Sequence, residues 1–369
     1  MTSLAIFERS VYAAEVKTAV AAVLKASYVT RTVFQRFVKD RDSVLKSDRS
    51  PVTVGDYAAQ AVVSCLLHAR CPQHPLVGEE DSSDLKQESQ SSILNAVIDM
   101  ANNALETDTG DLDTEREWES VGLGATAGRS LSQDTWLSHI DRGNASSTAQ
   151  GRVWALDPID GTRGFLRGGQ YAVCLSLLDQ GRPVVGIIGC PNLPYPSNSS
   201  SESSSGSLLI AVEGFGAFQR SYNDSSLRPV KFNDLSLGTM ERASFCESVE
   251  SAHSSHDINS KIAERLGIKN ESVRMDSQAK YASISRGDGD IYLRIAANLN
   301  YIEKIWDHAS GAILVKEAGG TVTDVYGKPL DFSVGRTLKN NCGIVAAAKD
   351  VHPGVIEAVK SVLKEEGRL

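Results

Sequence analysis

Residues 152–166 read RVWALDPIDGTRGFL, and the fold turns on how they are read. A short apolar run, Val153 to Leu156, is followed by two aspartates three residues apart, Asp157 and Asp160, and then by Gly161 and Thr162. A run of this length and makeup is a buried strand. The strand ends at Asp157, because Pro158 has no N–H to continue a ladder. Gly161 allows an unusual turn, so both carboxylates and the Ile159 carbonyl converge at the strand's carboxyl end. That is the donor set of a hard cation. Taken alone, Asp-Pro-x-Asp-Gly is equally an Asx turn, so the reading depends on other carboxylates in comparable places.

Three further positions qualify. Glu79 and Glu80 follow Gly78 at the end of PLVG (75–78), a second strand end, where a solvated acidic loop is the alternative. Asp56 stands three residues after Thr53, which reads as the N-cap of a helix over 56–69, so a capping box is the alternative. Asp307, in KIWDHASGAILVKEAGG (304–320), begins a helix and doubles as an N-cap candidate. All lie at element termini, beside Gly or Pro, where side chains face a crevice. An all-oxygen donor set favours Mg²⁺ or Mn²⁺ over zinc. Two such ions about 3.5–4 Å apart can activate a water and hold the leaving oxygen of an in-line phosphoryl displacement.

Working outward, 153–157, 171–179, 183–191, 207–212 and 216–221 are apolar runs separated by turn signals such as Gln180-Gly181, which predicts an antiparallel meander. Before them come one or two amphipathic helices over 8–40, the helix 56–69 and a short strand ending at Gly78. Residues 82–150 are polar, with a helix near 91–105 and a long excursion that reads as a surface insertion or lid. The Ser-rich run near 197–207 reads as a flexible loop. After about 240, strands alternate with helices near 257–266, 277–286, 307–318 and 352–365, the pattern of an α/β unit.

The chain has 369 residues, more than one core usually organises, so two domains or one multilayer fold is expected. Its 38 basic and 46 acidic residues give a net charge of -8, which argues against a nucleic-acid groove. Glu8, Arg9, Glu15 and Lys17 interrupt the N-terminal apolar pattern, so neither a signal peptide nor a membrane span is expected there. The six cysteines form no CxxC, which disfavours zinc and redox roles and makes a reducing cytoplasm the default.

GEED (78–81), DPIDGT (157–162) and WDHASGAILVKEAGG (306–320), in this order, resemble the three signature segments of the lithium-sensitive, magnesium-dependent phosphatases that include inositol monophosphatase. The resemblance covers residues 46–348. Within that family KSDRSPVTVGDYAAQ (46–60), DPIDGTRGFLRGGQYAVCLSLL (157–178) and KIWDHASG (304–311) are most similar to the 3'(2'),5'-bisphosphate nucleotidases, particularly the fungal type. The resemblance implies an α/β, layered αβαβα fold. An α+β part over 1–235, with the polar insertions near 82–150 and 197–207, would carry most metal ligands. An α/β part over 236–369 would carry the nucleotide pocket and the last ligand.

It also implies hydrolysis of 3'-phosphoadenosine 5'-phosphate, and of its 5'-phosphosulfate form, by direct attack of a metal-activated water, with a role in sulfate assimilation and salt tolerance. Glu79, Asp157, Asp160, Asp307 and the Ile159 carbonyl would hold about two or three Mg²⁺ ions, with Mn²⁺ as a substitute. Asp56 and Thr162 would take a proton from the attacking water, with Glu80 behind the ligands. Thr162, His253, Ser277, Lys280 and Arg294 would contact the nucleotide, Lys280 at phosphate and His253 at the base. Gly169 stands where an acidic residue is expected. The implied partner is a small-molecule nucleotide, with no nucleic acid or membrane, and the implied state is a monomer. Two rival readings are an inositol phosphate substrate with the same chemistry and a metal or nucleotide sensor without catalysis.

Overall fold

The computed structural model describes residues 3–39, 50–195, 206–249, 256–295 and 301–369. Two long helices come first, α1 (Ala13–Lys39) and α2 (Ser50–Arg70), followed by β1 (Leu76–Gly78), α3 (Ser91–Glu106), α4 (Leu112–Glu119) and α5 (Gln133–Asp141). The strand of the opening stretch is β2 (Arg152–Asp160), followed by α6 (Thr162–Arg167) and the strands β3 (Ala172–Asp179), β4 (Arg182–Cys190), β5 (Ser207–Val212), β6 (Gly216–Ser221) and β7 (Arg228–Pro229). The second half contains β8 (Phe245–Glu247), α7 (His256–Leu266), β9 (Val273–Arg274), α8 (Ala279–Ser285), β10 (Ile291–Arg294), α9 (Ala309–Glu317), β11 (Gly320–Thr323), β12 (Ile344–Ala348) and α10 (His352–Glu365).

These strands form two sheets, one of seven strands in the order β1 to β7 and one of five in the order β11-β12-β10-β8-β9. From β2 to β7 every pairing is antiparallel, as the meander pattern predicts. β1 instead joins β2 in parallel, with Gly78 opposite Leu156. One residue beyond that pair on each strand stand Glu79 and Asp157, so register alone sets two carboxylates side by side.

Burial divides the molecule into layers. β3 and β4 are apolar on both faces, as strands covered on both sides must be. Val173, Leu175 and Val185 face α1 and α2 in one core. Cys174, Leu178 and Ile188 face α8 and α9 in a second core, which continues onto Tyr292 and Ala346 of the five-stranded sheet. The far side of that sheet, with Ile291, Leu293 and Val345, packs on α7 and α10 through Ile262 and Val359. The order is αβαβα.

Several elements differ from the sequence reading. α2 already includes Ser50, so Thr53 is inside the helix rather than its cap, and Asp56 is not part of a capping box. β2 does not end at Asp157 but runs to Asp160, with a bulge between them: Asp157 pairs with Cys174 and Asp160 with Ala172. Pro158 cannot donate to the ladder, and a bulge is where a strand accommodates such a residue. α9 begins at Ala309, two residues after Asp307. The polar excursion within 82–150 is pinned rather than loose. Trp118 and Trp136 are fully buried, Lys25 pairs with Glu115, and Arg220 pairs with Asp111, the N-cap of α4. The Ser-rich run lies outside the described residues except Gly206 and Ser207, and Ser207 opens β5.

Candidate active site

A cavity of about 260 Å³ opens where the carboxyl ends of β1 and β2 face α8 and β10. The first wall supplies Glu79, Asp157, Ile159, Asp160 and Thr162. The second supplies Ser277, Lys280, Arg294 and Asp307. Nine of the positions singled out from sequence thus meet in one place. His253 lies outside the described residues. Asp56, projecting from the second turn of α2, is buried just behind Asp157 and raises that residue's pKa.

The carboxylates are held in an unfavourable group. Burial drives Asp157 well above the usual carboxylate range, and Glu79, Asp160, Asp307 and Asp56 push the same way. Asp307 is raised by burial and then by Asp160, and Asp56 by burial and then by Glu80 and Glu79. Asp160 is raised by burial despite nearby Lys280 and a hydrogen bond from the Gln278 N–H. Glu79, raised by burial, shares a hydrogen bond with Asp157. Glu80 reaches about 7 through burial and Glu79, with Tyr57 as its hydrogen-bond partner opposing the rise. One Asp157 oxygen, Oδ1, is buried with no hydrogen-bond partner among the described residues. An unpaired buried oxygen costs free energy. A divalent cation at this point would satisfy the oxygen and reverse the mutual repulsion, and donors that are all oxygen suit Mg²⁺ or Mn²⁺.

Two glycines make the geometry feasible. Gly161 has φ +88, and a Cβ there would meet the Ser277 Cβ at 2.8 Å, so the turn after β2 and the turn before α8 touch only because it is glycine. At Gly78 a Cβ would stand 2.6 Å from Gln60 Oε1. Gln60 uses that approach to hold the backbone of Glu80, donating to its carbonyl at 2.6 Å and accepting from its N–H at 3.1 Å.

On the other wall, Ser277 is one of two non-glycine residues with positive φ among the described residues, at φ 67. Backbone strain of this kind concentrates at functional sites. Lys280 is buried, donates to the Ser277 carbonyl at 2.9 Å and lies over the Tyr292 ring. Burial lowers its pKa against the pull of Asp160. Arg294 Nε donates to Glu303 at 2.7 Å. Glu303 also meets His308 Nε2 at 3.2 Å, and His308 Nδ1 meets the Tyr281 hydroxyl at 2.9 Å. Burial pushes Glu303 up, but Arg294 and the His308 bond outweigh it and bring the carboxyl down to about 2. Glu303, Asp307 and His308 lie close enough to share a cation, yet both Glu303 oxygens already serve Arg294 and His308.

Thr162 is exposed as the first residue of α6. Among the described residues no hydrogen bond joins it to Asp56, so the expected proton-relay pair is not joined here. Sequence reasoning passed over Glu303, Gln60 and Gln278. Gln278 stands inside RMDSQAKYASI with only its neighbours Ser277 and Lys280 singled out, and no local pattern marks the others.

The inositol monophosphatase family model matches residues 114–364. Over 96% of this chain and 97% of its own, a 3'(2'),5'-bisphosphate nucleotidase of Schizosaccharomyces pombe is 45% identical. A protein of the same name from Emericella nidulans is 43% identical over 97% of this chain and 99% of its own, and one from Oryza sativa is 41% identical over 97% and 96%. Among solved structures, an inositol monophosphatase from Zymomonas mobilis superposes with a TM-score of 0.56 at 18% identity, covering 95% of this chain and all of the other. One from Anabaena gives 0.53 at 21%, covering 94% and 95%. Those structural likenesses concern the fold.

Proposed function

This chain belongs to the inositol monophosphatase family, and on that premise we propose that it is a phosphatase that removes the 3'-phosphate of adenosine 3',5'-bisphosphate, leaving AMP and phosphate. The 5'-phosphosulfate form is processed in the same way. The observation that carries the reading is the orphaned Asp157 oxygen, ringed by carboxylates, facing the cationic Lys280 and Arg294 across one cavity. Near full-length identity to enzymes bearing the nucleotidase name supports the substrate.

Metal dependence is typical of the family, and Mg²⁺ is the assigned ion. Glu79, Asp157, Asp160, Asp307 and the Ile159 carbonyl would hold it, and when bound it would lower the pKa of a water and offset charge on the phosphoryl oxygens. Lys280 and Arg294 draw in the anionic nucleotide and fix it with the scissile phosphorus toward the carboxylates. Ser277 supplies a hydroxyl and a fixed turn beside it. Asp56 accepts the proton passed by the Thr162 hydroxyl as water attacks, which requires the two to come together when substrate binds. Glu80, behind them and bonded to Tyr57, keeps the pKa of Asp56 raised. His253 completes the contact to the base. The part over 1–235 carries most of the metal ligands, and the part over 236–369 carries the nucleotide pocket and the last ligand, Asp307.

No described helix is long and apolar enough to cross a membrane, and all six cysteines are free. We assign a monomer in the cytoplasm that clears a by-product of sulfate assimilation and so supports salt tolerance.

The test is phosphate release in Mg²⁺ from 3'-phosphoadenosine 5'-phosphate, inositol 1-phosphate and inositol 1,4-bisphosphate, each with and without Li⁺. Preference for the nucleotide, lost in Li⁺, is expected. Preference for an inositol phosphate would overturn the substrate, and no release from any of them would favour a sensor.

A further inference from the structure

Glu79 and Asp307 come from opposite walls of the cavity, and neither wall alone fixes their separation. The segment between Phe332 and Leu338 crosses from one wall to the other. The Gly335 N–H donates to the Thr148 hydroxyl at 3.0 Å. The Ile305 N–H donates to the Arg336 carbonyl at 3.2 Å and the Leu338 N–H to the Glu303 carbonyl at 2.8 Å. At its centre the Arg336 guanidinium donates to three backbone carbonyls of the first wall: Gly78 at 2.6 Å, Gly143 at 2.8 Å and Ala145 at 3.1 Å. The guanidinium also lies over the Trp306 ring, its carbon 4.8 Å from the centroid.

Gly78 is the residue before Glu79, and Trp306 is the residue before Asp307. One side chain therefore grips both ligand-bearing segments, each one peptide unit from its carboxylate. The geometry points to Arg336 as a positioning residue that sets the span between Glu79 and Asp307, and so the affinity of the site for its divalent cation. A planar fork meets three fixed carbonyls and stacks on an indole at once, which an ammonium group cannot do. Arg336 does not line the cavity, so it acts through the two segments and not by touching substrate. Its charge also reaches Glu79, lowering that carboxyl's pKa against the larger effect of burial, and the test must separate this field from the grip.

The proposal rests on the reading of the carboxylate group as a cation site. The experiment is Mn²⁺ binding to chelator-stripped, full-length protein, followed by calorimetry and by electron paramagnetic resonance, for the parent, Arg336→Lys and Arg336→Met. Arg336→Lys keeps the charge and gives up the fork. Both variants are expected to lose affinity by roughly tenfold or more, the usual effect of removing a group that orients a metal ligand. The Mg²⁺ concentration for half-maximal hydrolysis should rise in parallel, while KM for the nucleotide at saturating Mg²⁺ stays within about twofold. Parent-like Mn²⁺ affinity in Arg336→Lys would overturn the proposal, because charge alone would then suffice. If the methionine variant does not fold, the lysine variant decides by itself. If the parent itself binds no Mn²⁺, the cation-site reading falls and the proposal with it; hydrolysis of the nucleotide by the parent is scored separately.

Discussion

The side-chain amide of Gln278 donates to the main-chain carbonyl of Trp306 at 2.7 Å, a bond buried beneath the wall of the cavity. The same residue donates its backbone N–H to Asp160 and accepts from the Ser310 hydroxyl and the Gly311 N–H. Gln278→Leu would strand three buried groups, each worth about 1–3 kcal/mol. Urea unfolding of the variant should show a loss of roughly 3–9 kcal/mol, while Gln278→Glu, which keeps an acceptor for Ser310 and Gly311, should lose less. Equal stability of Gln278→Leu and the parent would mean that the bonds are replaced without cost.

Asp56→Asn removes a group that can receive a proton and keeps its shape. Turnover should fall by about 10²–10⁴-fold, the usual contribution of a positioned acid or base, with nucleotide binding in equilibrium dialysis nearly unchanged. Turnover close to that of the parent would remove Asp56 from the proton path.

Asp157 has its pKa raised by burial first and by its carboxylate neighbours second. As pH rises through the ordinary carboxylate range the unfolded chain gives up a proton that the folded chain keeps, so the metal-free fold loses stability with rising pH. Asp157→Asn should therefore melt above the parent in chelator at about pH 7–8, with the gap closing below about pH 4. Mg²⁺ should raise the parent's melting temperature by mass action and leave the variant nearly unmoved. A variant less stable than the metal-free parent at neutral pH would contradict this account.

His139 gives the opposite slope. Burial, then His68 and Arg142, bring it down from its ordinary value to about 4. Between that value and about pH 6.5 the unfolded chain is protonated and the folded chain is not, so stability is lost as pH falls through the window. The full effect is about 3 kcal/mol below pH 4. His139→Gln should flatten this acid limb in denaturant titrations over about pH 4–7; an unchanged limb would place its origin elsewhere.

Arg220 and Asp111 form a buried ion pair that ties β6 of the seven-stranded sheet to the start of α4. Arg220→Leu leaves Asp111 charged and unpaired, and should cost about 3–5 kcal/mol. Arg220→Leu with Asp111→Asn, which keeps an acceptor for the Thr114 N–H, should recover much of that. A single variant as stable as the parent would show that the pair is dispensable.

The meander, the α/β alternation after residue 240 and the placing of Glu79, Asp160 and Asp307 at or near element ends were legible in the sequence, because strand period and Gly or Pro punctuation are local signals; Asp56, inside α2, and Asp157, inside β2, were not at the ends that the sequence suggested. The pinned excursion was not. Trp118 stands among acidic residues, and Glu115 and Asp111 find partners 90 and 109 positions away. Arg336 reaches Gly78 across 258 positions and addresses only carbonyl oxygens, which every residue has. A side chain whose partners are main-chain atoms leaves no mark on partner identity.

The bulge in β2 reconciles a spacing of three with a shared face. Side chains in a strand repeat every two residues, so positions separated by three point to opposite faces. The extra residue between Asp157 and Asp160 acts as a dislocation, advancing the strand by half a wavelength. Both aspartates then sit opposite Cys174 and Ala172, which share one face of β3. Deleting Ile159 would heal the dislocation and keep the aspartates in phase, two positions apart on a regular ladder. What would vanish is the surplus peptide unit, which lines the cavity because no partner strand claims it. Phase alone needs no dislocation; an oxygen left over from the ladder does.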